Sequence, residues 1–130
     1  MAVVNTFVDT ISVTYSGNGK SVSSKLGTYS GAKDAGIATV IPAGSVNFQV
    51  VLAFPVAGIQ SMVIDASANV TIKTNSTTAP GDTISLNANY GIFWGIGGLP
   101  ARPLSVDVTS FYVSNPGAVD CTFNVRVLYN

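Results

Sequence analysis

The side chains best suited to catalysis are scarce in this chain. It has no histidine and no glutamate, and its acidic residues are six aspartates: Asp9, Asp34, Asp65, Asp82, Asp107 and Asp120. Proton transfer in active sites rests mostly on His, Glu or Asp held near an acceptor. Without His, neither a Ser-His-Asp nor a Cys-His arrangement can form. Imidazole-based zinc sites are excluded for the same reason, and the single Cys121 cannot supply a set of thiolates. Two aspartates facing one another could cleave a glycosidic bond. Most of the six, however, fall at strand ends or turns, where Asp bonds nearby backbone. Calcium needs several oxygen ligands, and no D-x-D-x-D run is present. Asp107, between Val106 and Val108, reads as a solvated residue on the polar side of a strand. Gly95-Ile96-Gly97-Gly98 is glycine-rich, but neither Lys-Ser, Lys-Thr nor a helix pattern follows, so it is no phosphate loop. The expectation is a non-enzymatic chain with no catalytic residue, no metal and no cofactor.

Residues suited to recognition are easier to find. The segment from Tyr90 to Pro103 combines three aromatics with glycines, prolines and Arg102. Aromatics and Arg dominate the energetics of protein interfaces. Alternation sets Ile92 and Trp94 on one side and Phe93 on the other. Trp94 then fills a core, or Phe93 and the loop through Leu99 and Arg102 meet another protein, or an exposed aromatic stacks on a sugar. A second candidate is the polar stretch at about 16–39, rich in Ser, Gly, Lys and Thr. It carries Lys20, Lys25 and Lys33, half of the six cations. It reads as a flexible excursion with one short strand around Val22 to Tyr29, or as an arm that docks on a neighbouring subunit.

The elements that would position these residues are strands. At the C-terminus Val119, Cys121, Phe123, Val125, Val127 and Tyr129 alternate with Asp120, Thr122, Asn124 and Arg126, the period of a half-buried strand. On this pattern Cys121 is a buried apolar residue. Similar runs include Val3 to Tyr15 (with a bulge near Asn5), Val46 to Phe54, and Ile59 to Asp65. Others are Val70 to Thr74, Ile84 to Ala88, Ile92 to Trp94, and Val106 to Val113. Turn signals separate them: Gly17-Asn18-Gly19, Pro42-Ala43-Gly44, Ala79-Pro80-Gly81-Asp82, Gly97-Gly98-Leu99-Pro100 and Asn115-Pro116-Gly117. The expected fold is therefore all-β: one antiparallel β-sandwich over 1–130, jelly-roll-like, with about eight strands. An immunoglobulin-like sandwich would want paired cysteines around a tryptophan, which are missing.

Composition narrows the partners. Charged residues are 9% of the 130, hydrophobic residues 47%, and the net charge is zero. A disordered chain has the opposite balance. Six cations balanced by six aspartates make a poor footprint for nucleic acid. No run approaches the ~20 apolar residues of a membrane helix, and Met1 to Thr6 lacks the features of a signal peptide. No nucleic-acid or membrane partner is expected. Weak charge repulsion tolerates dense self-association, and a homo-oligomer is expected, a trimer being favoured.

The stretch from about residue 60 to 130 resembles a family. Its order is Val70-Thr71-Ile72-Lys73-Thr74-Asn75, Pro80-Gly81-Asp82-Thr83-Ile84-Ser85-Leu86, Phe93-Trp94, Pro103-Leu104, Asp107-Val108-Thr109-Ser110-Phe111-Tyr112-Val113-Ser114-Asn115 and Asn124-Val125-Arg126-Val127-Leu128-Tyr129. This is similar to small β-sandwich virion proteins of tailed bacteriophages. The resemblance implies a structural role, with capsid decoration (cement) ahead of a tail or baseplate role. It also implies the major capsid protein or another virion protein as partner, and a place on the capsid exterior after synthesis in the host cytoplasm. A carbohydrate-binding jelly roll is the alternative from another class.

Overall fold

The computed structural model describes residues 7–97 and 101–130, excepting the side chains at 11, 13, 15–16 and 22–26. Ten strands follow in order: β1 (Phe7–Gly17), β2 (Lys20–Gly31), β3 (Lys33–Ile41), β4 (Phe48–Phe54), β5 (Ile59–Ala66), β6 (Val70–Thr74), β7 (Thr83–Leu86), β8 (Ile92–Gly95), β9 (Val108–Ser114) and β10 (Cys121–Tyr129). Two four-stranded sheets, ordered β3-β10-β5-β8 and β4-β9-β6-β7, form the sandwich, and β1-β2 is a separate ribbon. All pairings are antiparallel.

The pairing is nested. β6 pairs with β7, β5 with β8, β4 with β9 and β3 with β10. The chain from β3 to β10 is thus one long hairpin rolled up, closed laterally by β5–β10 and β6–β9. That is the jelly roll; seven of its eight strands correspond to strands read from the sequence, the eighth is β3, and the expected N-terminal strand is β1 of the ribbon.

The core lies where the two inner faces meet. Cys121, Phe123, Val125 and Val127 point into it from β10, Met62 and Ile64 from β5, Ile72 from β6, and Phe111 and Val113 from β9. The rings of Phe54, Phe111 and Phe123 form a chain with 6.1 Å between successive centroids, the second contact edge-on. Cys121 is fully buried, as its alternation indicates.

Several boundaries differ from expectation. Val119 is 73% exposed because β10 begins at Cys121, leaving Val119 in the preceding loop. Val46 is 79% exposed, ahead of β4, where Asn47 takes a positive φ of 51° and redirects the chain. The bulge expected near Asn5 falls outside the described residues; within them β1 has a register shift at Ile11/Ser12. The largest correction concerns the polar stretch. It is not an excursion but the end of β1, all of β2 and most of β3. Gly17-Asn18-Gly19-Lys20 closes a two-residue hairpin with Asn18 at φ 52° and Gly19 at φ 72°. Asn-Gly is the pair such a primed turn prefers, because both central residues need positive φ. β3 owes its place to pairing along the whole of β10, a partner some ninety residues away that local composition cannot reveal.

Candidate functional site

The outward face of the β3-β10-β5-β8 sheet is built in rows set by register. The first row is Asp34, Leu128, Ser61 and Gly95; the second is Gly36, Arg126, Val63 and Phe93. The third is Ala38, Asn124 and Asp65. Gly91 adjoins it, a Cβ there standing 3.4 Å from that of Asp65.

The β1–β2 ribbon crosses this face over the first two rows. Gly31 lies on β10, where an added Cβ would come within 3.0 Å of the Leu128 side chain. Further along β2, the Tyr29 ring reaches β8: its centroid is 6.1 Å from that of Phe93, and it fills the space a Cβ on Gly95 would need. On β1, the Asp9 carboxylate takes two hydrogen bonds from the Arg126 guanidinium, at 3.3 and 3.4 Å. Asp34 stands 3.7 Å from the same guanidinium. Thr10 borders a recess with Ser61 and Val63 on β5. The ribbon therefore runs from β10 across β5 to β8, the edge strand. Leu128 breaks the alternation of β10: it points outward yet is fully buried, outside the main core, beneath the ribbon. Burying a leucine contributes about 2 kcal/mol, so Leu128 is a principal anchor of the ribbon base.

A register shift at Ile11/Ser12 separates the ribbon base from its outer part, Ser12 to Lys25. The six strand residues from Ser12 to Gly17 span about 20 Å. Ser12, Thr14 and the residues from Gly17 to Ser21 are exposed there.

Past the ribbon base, the third row floors an open trough of about 540 Å³, lined among others by Val63, Asp65, Asn89, Phe93, Thr122 and Asn124. Asp65 Oδ1 accepts a hydrogen bond of 2.7 Å from Asn124 Nδ2. A larger open depression of about 880 Å³ adjoins the trough on the β3 side, past Gly36 and Ala38, and shares Val63, Asp65 and Asn124 with it.

The aspartates serve local structure. Asp82 accepts from the Ser105 N–H and hydroxyl at 2.9 and 2.6 Å. Asp120 accepts from Ala43 N at 2.9 Å. Asp107 is exposed, as expected, and its carboxylate also accepts from Val56 N at 2.9 Å, tying the end of β4 to the start of β9. Among the described residues no three metal-ligating side chains converge.

Of the residues singled out by sequence, Phe93 lies half-buried against Tyr29 on the sheet exterior. Trp94 packs on the core from the opposite side of β8, across from Met62. Arg102 is turned inward: Nε donates to Leu104 O at 2.8 Å and Nη1 to Val56 O at 3.0 Å, so it staples two loops of its own chain. Leu99 lies outside the described residues. Lys20 is exposed at the hairpin tip, Lys25 falls on the outer half of β2, and Lys33 is exposed at the start of β3. Sequence reading missed Tyr29, Leu128 and the Asp65–Asn124 pair. The outward polar positions of β5 and β10 were its only signal, and register alone brings them together.

Exposed apolar residues mark the edge where β3 and β4 are the outermost strands. Val40 on β3, Phe48 and Val51 on β4, and Val46 and Val119 in the loops there are exposed. Those loops are tied by Gly44 N to Gly117 O (3.1 Å) and Asn115 N to Ser45 O (2.9 Å). Comparison with protein-family models, curated proteins and solved structures finds no match to this chain.

Proposed function

We propose that this chain is a non-enzymatic structural protein of a phage virion, foremost a capsid decoration protein that binds the capsid lattice and stabilises it. The observation that carries the reading is the ribbon, a two-stranded sheet paired to neither sheet of the sandwich, with Ser12, Thr14 and Gly17 to Ser21 exposed and a lysine at its tip. A two-stranded ribbon is marginal alone in water; one with an exposed tip is suited to packing on another chain. The resemblance of residues 60–130 to phage virion proteins supplies the setting. Apolar residues along the β3–β4 side offer a second contact, as exposed apolar patches commonly do. Many copies on a lattice would let modest contacts add up.

The test is cryo-electron microscopy of the virion with this chain labelled. Label on the capsid exterior between major capsid subunits supports decoration. Label confined to the tail replaces it with a tail or baseplate role, and absence from the particle overturns both. A sugar-binding reading has one observation in its favour, the trough where Asp65 and Asn124 lie beside Phe93. Hits on a glycan array that vanish in Asp65→Ala would support it.

A further inference from the structure

We infer that two copies of this chain pair through β3 about a two-fold axis, the uncharged stretch Ala35–Ile41 lying antiparallel against itself with Ala38 at the axis. The inference names a second copy as the partner of the β3–β4 side. It rests on the structural-protein reading only for the expectation of self-association.

The first observation is a contrast between the two flanks of the sandwich. At one flank the outermost strands, β7 and β8, have four residues each. At the other they are β3 with nine and β4 with seven. Among the described residues β3 pairs only with β10, in unbroken register, so its other edge is open. Long edge strands are normally blunted by lysine, proline or a bulge. β4 has such an interruption, the register shift at Val51/Phe54. β3 has none past its first two residues, and no charged residue occurs between Asp34 and Asp65.

The second is the apolar surface left at that flank. Val40 and Val51 are 53% and 70% exposed. Ile37 and Leu52 pack on the core but are only half-buried. A charged partner would lose its water there without gaining a counter-charge. A second uncharged edge avoids that cost and supplies ladder bonds to the open N–H and C=O groups. The two-fold axis of an antiparallel strand pair is normal to the sheet. It therefore runs through both layers and brings β4 toward its own copy. Seven paired residues run for about 24 Å, and two layers at about 10 Å spacing make the flank about 20 Å deep. Contact over that flank covers roughly 500 Å² per copy, about 1,000 Å² in total, which is the area a specific interface needs.

The third is the register. Overlaying Ala35–Ile41 on itself sets Val40 opposite Gly36 of the second copy. Val40 is the large exposed side chain on the outward side of β3, and Gly36 is the position there without a side chain, so each valine lies over the other copy's glycine. Pro42 meets Asp34 and ends the ladder, since it has no N–H. Lys33 comes opposite Ala43 of the second copy, whose N–H donates to Asp120 Oδ1 at 2.9 Å. Lys33 and Asp120 are both exposed, so the overlap is bounded at each end by charges of opposite sign. Sliding two residues one way would set Lys33 and Asp34 against Ile41 and Val40, and sliding the other way would shorten the overlap.

Sedimentation of the purified full chain over a range of concentrations tests the inference, with a dimer expected. Val40→Lys should weaken that dimer by about tenfold or more, with circular dichroism and the thermal transition as in the unsubstituted chain. Lys33→Asp and Asp120→Lys should each weaken it several-fold, and the two together should recover most of the loss. Ala38→Cys should link the two copies on oxidation or with a short bis-maleimide. Ala79→Cys, exposed on the β6–β7 connection, should not. Cys121 is buried and stays out of both reactions. A folded monomer at high concentration, a trimer, or a dimer that Ala38→Cys does not link would overturn the inference. So would a dimer unmoved by Val40→Lys. These readouts need no virion: a monomer leaves the decoration reading standing, and a dimer missing from the particle leaves the pairing standing.

Discussion

The rolled sandwich and the ribbon are both antiparallel and regular in backbone pairing, yet they are stabilised by different means. In the sandwich every strand has a facing sheet. Phe54, Phe111 and Phe123 interlock across the gap, and polar ends are tied down, as when Asn115 Nδ2 donates to Ile41 O and Val119 O at 3.2 and 2.9 Å. Among the described residues the ribbon meets a sheet at its base, through Leu128, Tyr29 and the Asp9–Arg126 pair. Its outer half carries ladder hydrogen bonds and a turn. The contrast teaches that strand pairing sets shape, whereas stability follows the apolar surface that pairing allows to be buried.

Substitutions can widen or close this contrast. The largest effect is expected from Phe111→Ala, which empties the middle of the aromatic chain and should cost about 3–5 kcal/mol in urea or thermal unfolding. Leu128→Ala comes next, at about 2–3 kcal/mol. Here the ribbon should gain protease sensitivity and lose amide protection well before the roll does; simultaneous loss in both would make them one cooperative unit. Gly19→Ala, at φ 72°, should cost about 1 kcal/mol. Its effect should show as faster hydrogen exchange in β1 and β2, with the main unfolding transition little moved. The smallest change is expected from Asp9→Asn. Arg126 is largely exposed, so losing this pair should cost at most about 0.5 kcal/mol, fading as salt is raised.

The same contrast explains what could be read in advance. β10 was legible because Cys121, Phe123, Val125 and Val127 face a core while Thr122, Asn124 and Arg126 do not. Turn residues such as Asn18-Gly19 were visible as turns. That they join two long strands was obscured by a β2 rich in Ser and Gly, residues that pack little and alternate weakly. β3 was hidden for a related reason: Ala35, Gly36 and Ala38 are small, and its order comes from pairing with β10. Leu128 could not be recognised as an anchor, since only the ribbon lying over it breaks the alternation. The outward face of the β3-β10-β5-β8 sheet was legible in part. Phe93 lies half-buried on it, Arg102 is an internal staple, and the Asp65–Asn124 row depends on a register between strands far apart in sequence.

The nested pairing also has a temporal consequence. β6 and β7 are separated by a short connection, and each further pair closes a loop that the pair inside it has already shortened. Assembly from the centre outward is the route of least entropy loss, so the β3–β10 closure should come late, on the millisecond-to-second scale of non-local β folds. Leu128 and Arg126 lie on β10, so the platform for the ribbon exists only after that closure. Pulse-labelled hydrogen exchange should therefore protect β6 and β7 first and the ribbon last; a ribbon protected early would mean that it nucleates the roll instead.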